Sequence, residues 1–185
     1  MLTMKDLARW LLLCGSAAAS PFDPLRRQQS CPQVHVFGAR ETTAKPGFGS
    51  SSTVVELVLK SFPGSTSEAI DYPAIGGQNY SWSVAEGIKA IVSQTTSFNA
   101  KCPDTKLVLV GYSQGAQIMD DAFCGGPDGQ SLMNATVPIA PALGSAVSSL
   151  IWMGDPRHVD GLPYNFGNAT LGGVGWHIQS EWERC

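Results

Sequence analysis

Charge is scarce in this chain: Asp, Glu, Lys and Arg make up 15% of its 185 residues, with a formal net charge of −3. No run of Lys or Arg occurs, so the sequence offers no basic face for nucleic acid. Histidine is limited to His35, His158 and His177, and no C-x-x-C pair is present. The spacing therefore gives no metal-ligand set, and nothing calls for a cofactor. Internal repeats and low-complexity segments are absent. The apolar run Trp10-Leu11-Leu12-Leu13-Cys14 is too short to cross a bilayer, which argues against a membrane anchor.

That run has another reading. Lys5 and Arg9 precede it and Ala17-Ala18-Ala19-Ser20 follow, the layout of a secretory signal peptide over residues 1–20. Residues 21–27 end in Arg26-Arg27, a dibasic site suited to release of a short propeptide, so that the mature chain begins at Gln28. A secreted, extracellular domain is expected, and its hydrophobic content of 43% suits one globular core. Of five cysteines, Cys14 leaves with the signal, and Cys31, Cys102, Cys124 and Cys185 allow three full pairings. Sequons at Asn79, Asn134 and Asn168 mark candidate N-glycosylation sites on surface loops.

Strand and helix patterns alternate along the rest. Gln33–Gly38 reads as a first strand, followed by the polar turn Ala39–Thr43. Ser51 or Ser52 caps a helix whose apolar side is Val54, Val55, Leu57, Val58 and Phe62. A short strand spans Glu68–Tyr72, and a long helix spans about Ser83–Phe98 with Val84, Ile88, Ile91 and Val92 inward. Pro138–Val147 is partly helical, and Leu150–Met153 is a buried strand ending in Gly154-Asp155-Pro156. Such alternation predicts a parallel sheet covered on both faces.

The central stretch is Thr105–Phe123. Leu107–Val110 reads as a strand buried on both faces, and Ala116, Ile118, Met119, Ala122 and Phe123 follow at helical spacing. Between them lies Gly111-Tyr112-Ser113-Gln114-Gly115, a G-x-S-x-G. On a strand-to-helix turn this motif raises the serine hydroxyl above the sheet at the positive end of a helix. The flanking glycines are required because a Cβ at either position collides with the neighbouring strand or helix. Ser113 is thus a candidate nucleophile toward an acyl carbon. The N–H of Gln114 and a donor from the Thr42 turn, both at carboxyl ends of strands, are placed to hold the oxyanion.

Cys31–Thr43, Gly49–Val55, Val108–Gly115 and Met153-Gly154-Asp155-Pro156 together resemble the cutinase family, and most closely its acetylxylan esterase branch. The turn Glu41-Thr42-Thr43 is similar to that branch rather than to true cutinases. The likeness covers roughly residues 31–172. It implies a lidless three-layer α/β sandwich around about five parallel strands, incomplete at its C-terminal end, with residues 28–172 as the esterase domain. By matching positions it implies Ser113 as nucleophile, Thr42 and Gln114 as oxyanion-hole residues, and a Cys31–Cys102 disulfide. The substrate so implied is an ester, acetylated xylan or a cutin-like polyester, handled by a monomer.

Residues 173–185 match nothing in the family, and no catalytic Asp or His falls at a matching position. His35 reads as a strand residue facing polar neighbours, His158 as a loop residue, and His177 lies in the unmatched tail. Asp155, before a proline at a strand end, reads as a turn-stabilising carboxylate. Deacetylation of xylan is the first expectation. Hydrolysis of short-chain polyester or lipid esters, and a truncated family member without activity, are the alternatives.

Overall fold

Four strands pair side by side in parallel, in the order β2-β1-β3-β4, with β1 Val34–Ala39, β2 Thr66–Ala69, β3 Lys106–Tyr112 and β4 Val147–Met153. The computed structural model describes residues 31–125, 139, 141–168 and 173. The two inner strands carry the apolar runs, because a strand flanked on both sides and covered on both faces buries its side chains, where polar groups are costly. Their side chains alternate between two cores. Phe37, Ala39, Leu107 and Leu109 pack on one face against Val84, Ile88 and Ile91 of α2 (Tyr80–Lys101) and Ile118, Met119 and Ala122 of α3 (Gln114–Cys124). Val36, Val108 and Val110 pack on the other against Val55 of α1 (Ser52–Ser61). The three-layer α/β sandwich expected from the sequence is therefore present, with four strands among the described residues where about five were expected.

Several boundaries differ for identifiable reasons. Strand β2 begins at Thr66 and stops at Ala69, short of the expected Tyr72, because the carbonyls of Ile70 and Tyr72 accept hydrogen bonds from the Arg40 guanidinium instead of a strand. Helix α2 starts three residues early, after a 3₁₀ turn over Gly77–Asn79. Ser51 occupies the N-cap of α1 without capping it; its hydroxyl donates to Phe48 O at 2.6 Å. On α1, Leu57 and Phe62 are 57% and 52% exposed, against the expected inward side. Leu57 lies two residues past buried Val55, about 200° round the helix, and Phe62 falls after the last turn. Strand β4 carries exposed Ser148 and Ser149 and is half-buried, as befits the edge of the described sheet. Part of the segment expected to be partly helical is α4, Pro141–Gly144.

Cys31 and Cys102 form a disulfide with 5.4 Å between their Cα atoms, tying the approach to β1 to the approach to β3. Cys124 is also disulfide-bonded. Cys185 and the signal and propeptide expected over residues 1–27 lie outside the described residues.

Candidate active site

Ser113 follows β3 directly and precedes the first residue of α3, with φ 53° and ψ −122°. A non-glycine residue reaches such angles only where its surroundings over-determine them. Three contacts do so. The Ser113 N–H donates to Met153 O at 2.9 Å, while Ala116 N and Gln117 N both donate to Ser113 O, at 2.9 and 3.0 Å. A Cβ built at Gly111 would lie 2.6 Å from Ala116 Cα, and one at Gly115 would lie 2.6 Å from Arg40 O. Both glycines of the G-x-S-x-G are thus dictated by close approach of helix and strand. The second approach sets the start of α3 against the end of β1.

The turn after β1 is pinned from beneath. Arg40 is buried, and its guanidinium donates to Ala44 O at 3.1 Å, to Ile70 O at 3.3 Å and to Tyr72 O, while resting 4.9 Å from the Tyr72 ring centre. Burial pushes the Tyr72 hydroxyl well above its ordinary pKa, against the opposing pull of Arg40, so it remains a donor to Arg40 O. Burial pushes the Glu41 carboxyl up, but hydrogen bonds from the Ser50 N–H and hydroxyl, both 2.8 Å, outweigh it and leave the carboxyl below its usual range. Thr43 has φ 65° and donates its N–H to Ala74 O at 2.7 Å. Thr42 is half-buried, with its methyl 2.9 Å from where a Cβ at Gly76 would sit.

Gln114 is wholly buried, so its carboxamide faces protein rather than substrate. The amide nitrogen donates to Ile75 O at 3.1 Å and the amide oxygen accepts from Ser83 Oγ at 3.1 Å. What Gln114 presents at the elbow is its backbone: the first N–H groups of a helix have no carbonyl one turn back to bond, and they converge where the helix dipole favours negative charge. Ser113, Thr42 and Gln114 are thereby collected at one end of the sheet.

The other singled-out residues fall elsewhere or serve other ends. His35 is buried in β1 opposite Leu107, six residues before Ser113 along β3 and so about 20 Å from it. Its neighbours are aromatic rather than polar: it stacks on Phe98 at 3.8 Å and meets Phe37 edge-on, with one hydrogen bond of 2.6 Å between Nδ1 and Thr66 Oγ1. Asp155 holds the turn after β4, its carboxylate accepting the Arg157 N–H at 2.9 Å, as its place before a proline suggests. His158 donates its N–H to Asp155 O at 3.0 Å, and its buried Nε2 has no hydrogen-bond partner among the described residues. His177 and Asn134 lie outside the described residues; Asn79 and Asn168 are exposed.

Three groups of site residues escape a reading by periodicity. Arg157 is buried between Asp120 and Asp121 of α3 and donates to Gly125 O at 3.0 Å, which locks the turn after β4 onto the nucleophile helix. Asp120, Asp121 and Gln117 are buried on the sides of α3 that a one-sided apolar pattern leaves to solvent. Ser83 is likewise fully buried, although it sits in the first turn of α2.

Residues 30–180 match the cutinase family, which extends the likeness past residue 172, where it was expected to end, into the segment read as an unmatched tail. The chain belongs to the cutinase family. It is 53% identical over 176 residues to an acetylxylan esterase 2 of Talaromyces purpureogenus, covering 91% of this chain and 75% of that protein. It is 51% identical over 170 residues to cutinase 11 of Verticillium dahliae, covering 88% of this chain and 57% of the relative. The catalytic core domain of acetyl xylan esterase from Trichoderma reesei superposes with a TM-score of 0.73 at 54% identity, over 78% of this chain and 73% of that one. These likenesses bear out the resemblance read from the motifs and the α/β architecture drawn from it.

Proposed function

We propose that this cutinase-family chain is a secreted serine carboxylic ester hydrolase that removes acetyl groups from xylan. The observation that carries the reading is Ser113 in its strained φ 53°, ψ −122° conformation at the head of α3. In this mechanism Ser113 Oγ attacks the ester carbonyl carbon as its proton passes to a general base. The oxyanion forms against the Gln114 N–H and a donor from the Thr42 turn, preorganised positions in which a single donor contributes about 10²–10³ in turnover. Collapse expels the sugar alcohol, which takes up the proton, and water then releases acetate from the acyl-enzyme. The Glu41-Thr42-Thr43 turn supports the acetylxylan esterase reading over the polyester one; two of the relatives named above are acetylxylan esterases and the third, at 51% identity, is a cutinase.

The base is the open element. His35 is about 20 Å from the elbow along the strands, and no hydrogen bond joins His158 to Ser113 among the described residues. A serine hydroxyl without an oriented imidazole is a weak nucleophile. In a serine hydrolase of unrelated fold, loss of the histidine alone costs about a millionfold. The base for Ser113 is therefore to be sought outside the described residues. The test is turnover of aryl acetate, butyrate and palmitate beside a Ser113→Ala control, with His158→Ala and His177→Ala alongside. Ser113-dependent hydrolysis that is greatest for acetate supports the reading; a maximum at palmitate, or hydrolysis unaffected by Ser113→Ala, overturns it. Strong turnover abolished by His177→Ala would place the base in the tail.

A further inference from the structure

We infer that Ser83 is a positioning residue for the oxyanion hole, closing a partly buried hydrogen-bonded ring that joins its two halves; the inference rests on the ester hydrolase reading above. The hydroxyl of Ser83 accepts the Ile75 N–H at 2.9 Å and donates to Gln114 Oε1 at 3.1 Å. The Gln114 amide nitrogen in turn donates to Ile75 O at 3.1 Å. The ring admits one assignment. An N–H and a carbonyl of Ile75 are fixed in their roles, so the hydroxyl must accept from the first and the amide must point its nitrogen at the second. Ser83 and Gln114 are both 0% exposed, so water does not reach the hydroxyl–carboxamide bond between them, although Ile75 itself is 40% exposed.

The consequence lies in what Ile75 is attached to. The residue before it, Ala74, has φ 53° and accepts the Thr43 N–H at 2.7 Å, and the residue after it, Gly76, lies against the Thr42 methyl. The segment Ala74–Gly76 is thus clasped by the turn after β1 on one side and by the nucleophile elbow on the other. Donors must sit within a few tenths of an ångström of the developing oxyanion to be effective. Removing the Ser83 hydroxyl takes away the partner of the Ile75 N–H and of one lone-pair site of Gln114, freeing the segment and, through it, the Thr42 turn. Ser83 touches no reacting atom.

The experiment compares the full chain with Ser83→Ala and Gln114→Glu, reading amide exchange residue by residue and the steady-state constants for an aryl acetate. In Ser83→Ala, exchange at Ile75 and Thr43 is expected to quicken tenfold or more while Phe37 and Leu109 stay protected. In the same variant kcat falls about tenfold with KM within twofold. Gln114→Glu keeps the acceptor for Ser83 but sets an oxygen against Ile75 O, and gives the same split. Unchanged exchange at Ile75 and Thr43 overturns the brace whether or not the chain turns over acetate. Faster exchange with kcat intact, or a loss confined to KM, overturns its link to the oxyanion hole. Absence of Ser113-dependent turnover in the unsubstituted chain counts against the hydrolase reading instead, and exchange alone then decides the brace.

Discussion

Arg40 and Tyr72 hold each other reciprocally: the guanidinium donates to Tyr72 O, and the Tyr72 hydroxyl donates back to Arg40 O. Because both residues are buried, removing either one strands a partner away from water. Arg40→Met, which keeps the stem but leaves three carbonyls unbonded, is expected to lower stability by roughly 2–4 kcal/mol. Tyr72→Phe leaves one carbonyl unbonded and should cost about 1–2 kcal/mol. Urea denaturation checks both, and equal costs would mean that the carbonyls find other donors.

Gly115→Ala is expected to destabilise by about 3 kcal/mol, or to prevent folding, because the added methyl meets main chain at the end of β1 rather than a movable side chain. Gly144→Ala serves as the control, since nothing lies within 4 Å of a Cβ there. Thermal unfolding of the two variants should differ by many degrees.

His35 gives a pH dependence with a definite sign. Burial lowers its pKa from 6.5 to about 4, so between those values the unfolded chain binds a proton that the folded chain refuses. Its contribution is fully present above about pH 6.5 and is lost as pH falls toward 4, by up to about 1.4 kcal/mol per pH unit. The aromatic rings of Phe37 and Phe98 supply the apolar surroundings, and Thr66 supplies the one polar contact. Unfolding free energy measured from pH 7 to pH 4 should slope less steeply in His35→Val than in the parent. Parallel slopes would assign the acid sensitivity to other groups.

Reducing the Cys31–Cys102 bridge is expected to lower stability by roughly 2–4 kcal/mol through freedom returned to the unfolded chain. Because Cys124 is bridged as well, the measurement is best made on Cys31→Ala/Cys102→Ala rather than with a reductant.

The elbow was legible in the residues because its requirements are local: two glycines, an apolar strand before the serine and a periodic helix after it. Val36, Val108 and Val110 against Phe37, Leu107 and Leu109 likewise follow from alternation along two inner strands. Arg40, Ser83 and Arg157 were not legible, since each is a polar residue whose burial is created by partners distant in the chain. Arg40 needs Ile70 and Tyr72, Ser83 needs Gln114, and Arg157 needs Asp120 and Asp121. Leu57 errs in the opposite direction: an apolar residue beside an apolar stripe reads as inward until the width of the covered face is known.

The hydrogen bond from Ser113 to Met153 O also bears on synthesis of the protein. The strained backbone of the elbow persists only while its neighbours impose it, and one of those neighbours is the last residue of the last described strand. As a nascent chain leaves the ribosome, the serine emerges well before the residue that completes its support. Until Met153 has followed and docked, Ser113 is free to relax into an ordinary turn. The nucleophile is thus assembled late by order of translation, and a chain stalled between the two positions carries the whole motif without the conformation that makes it reactive.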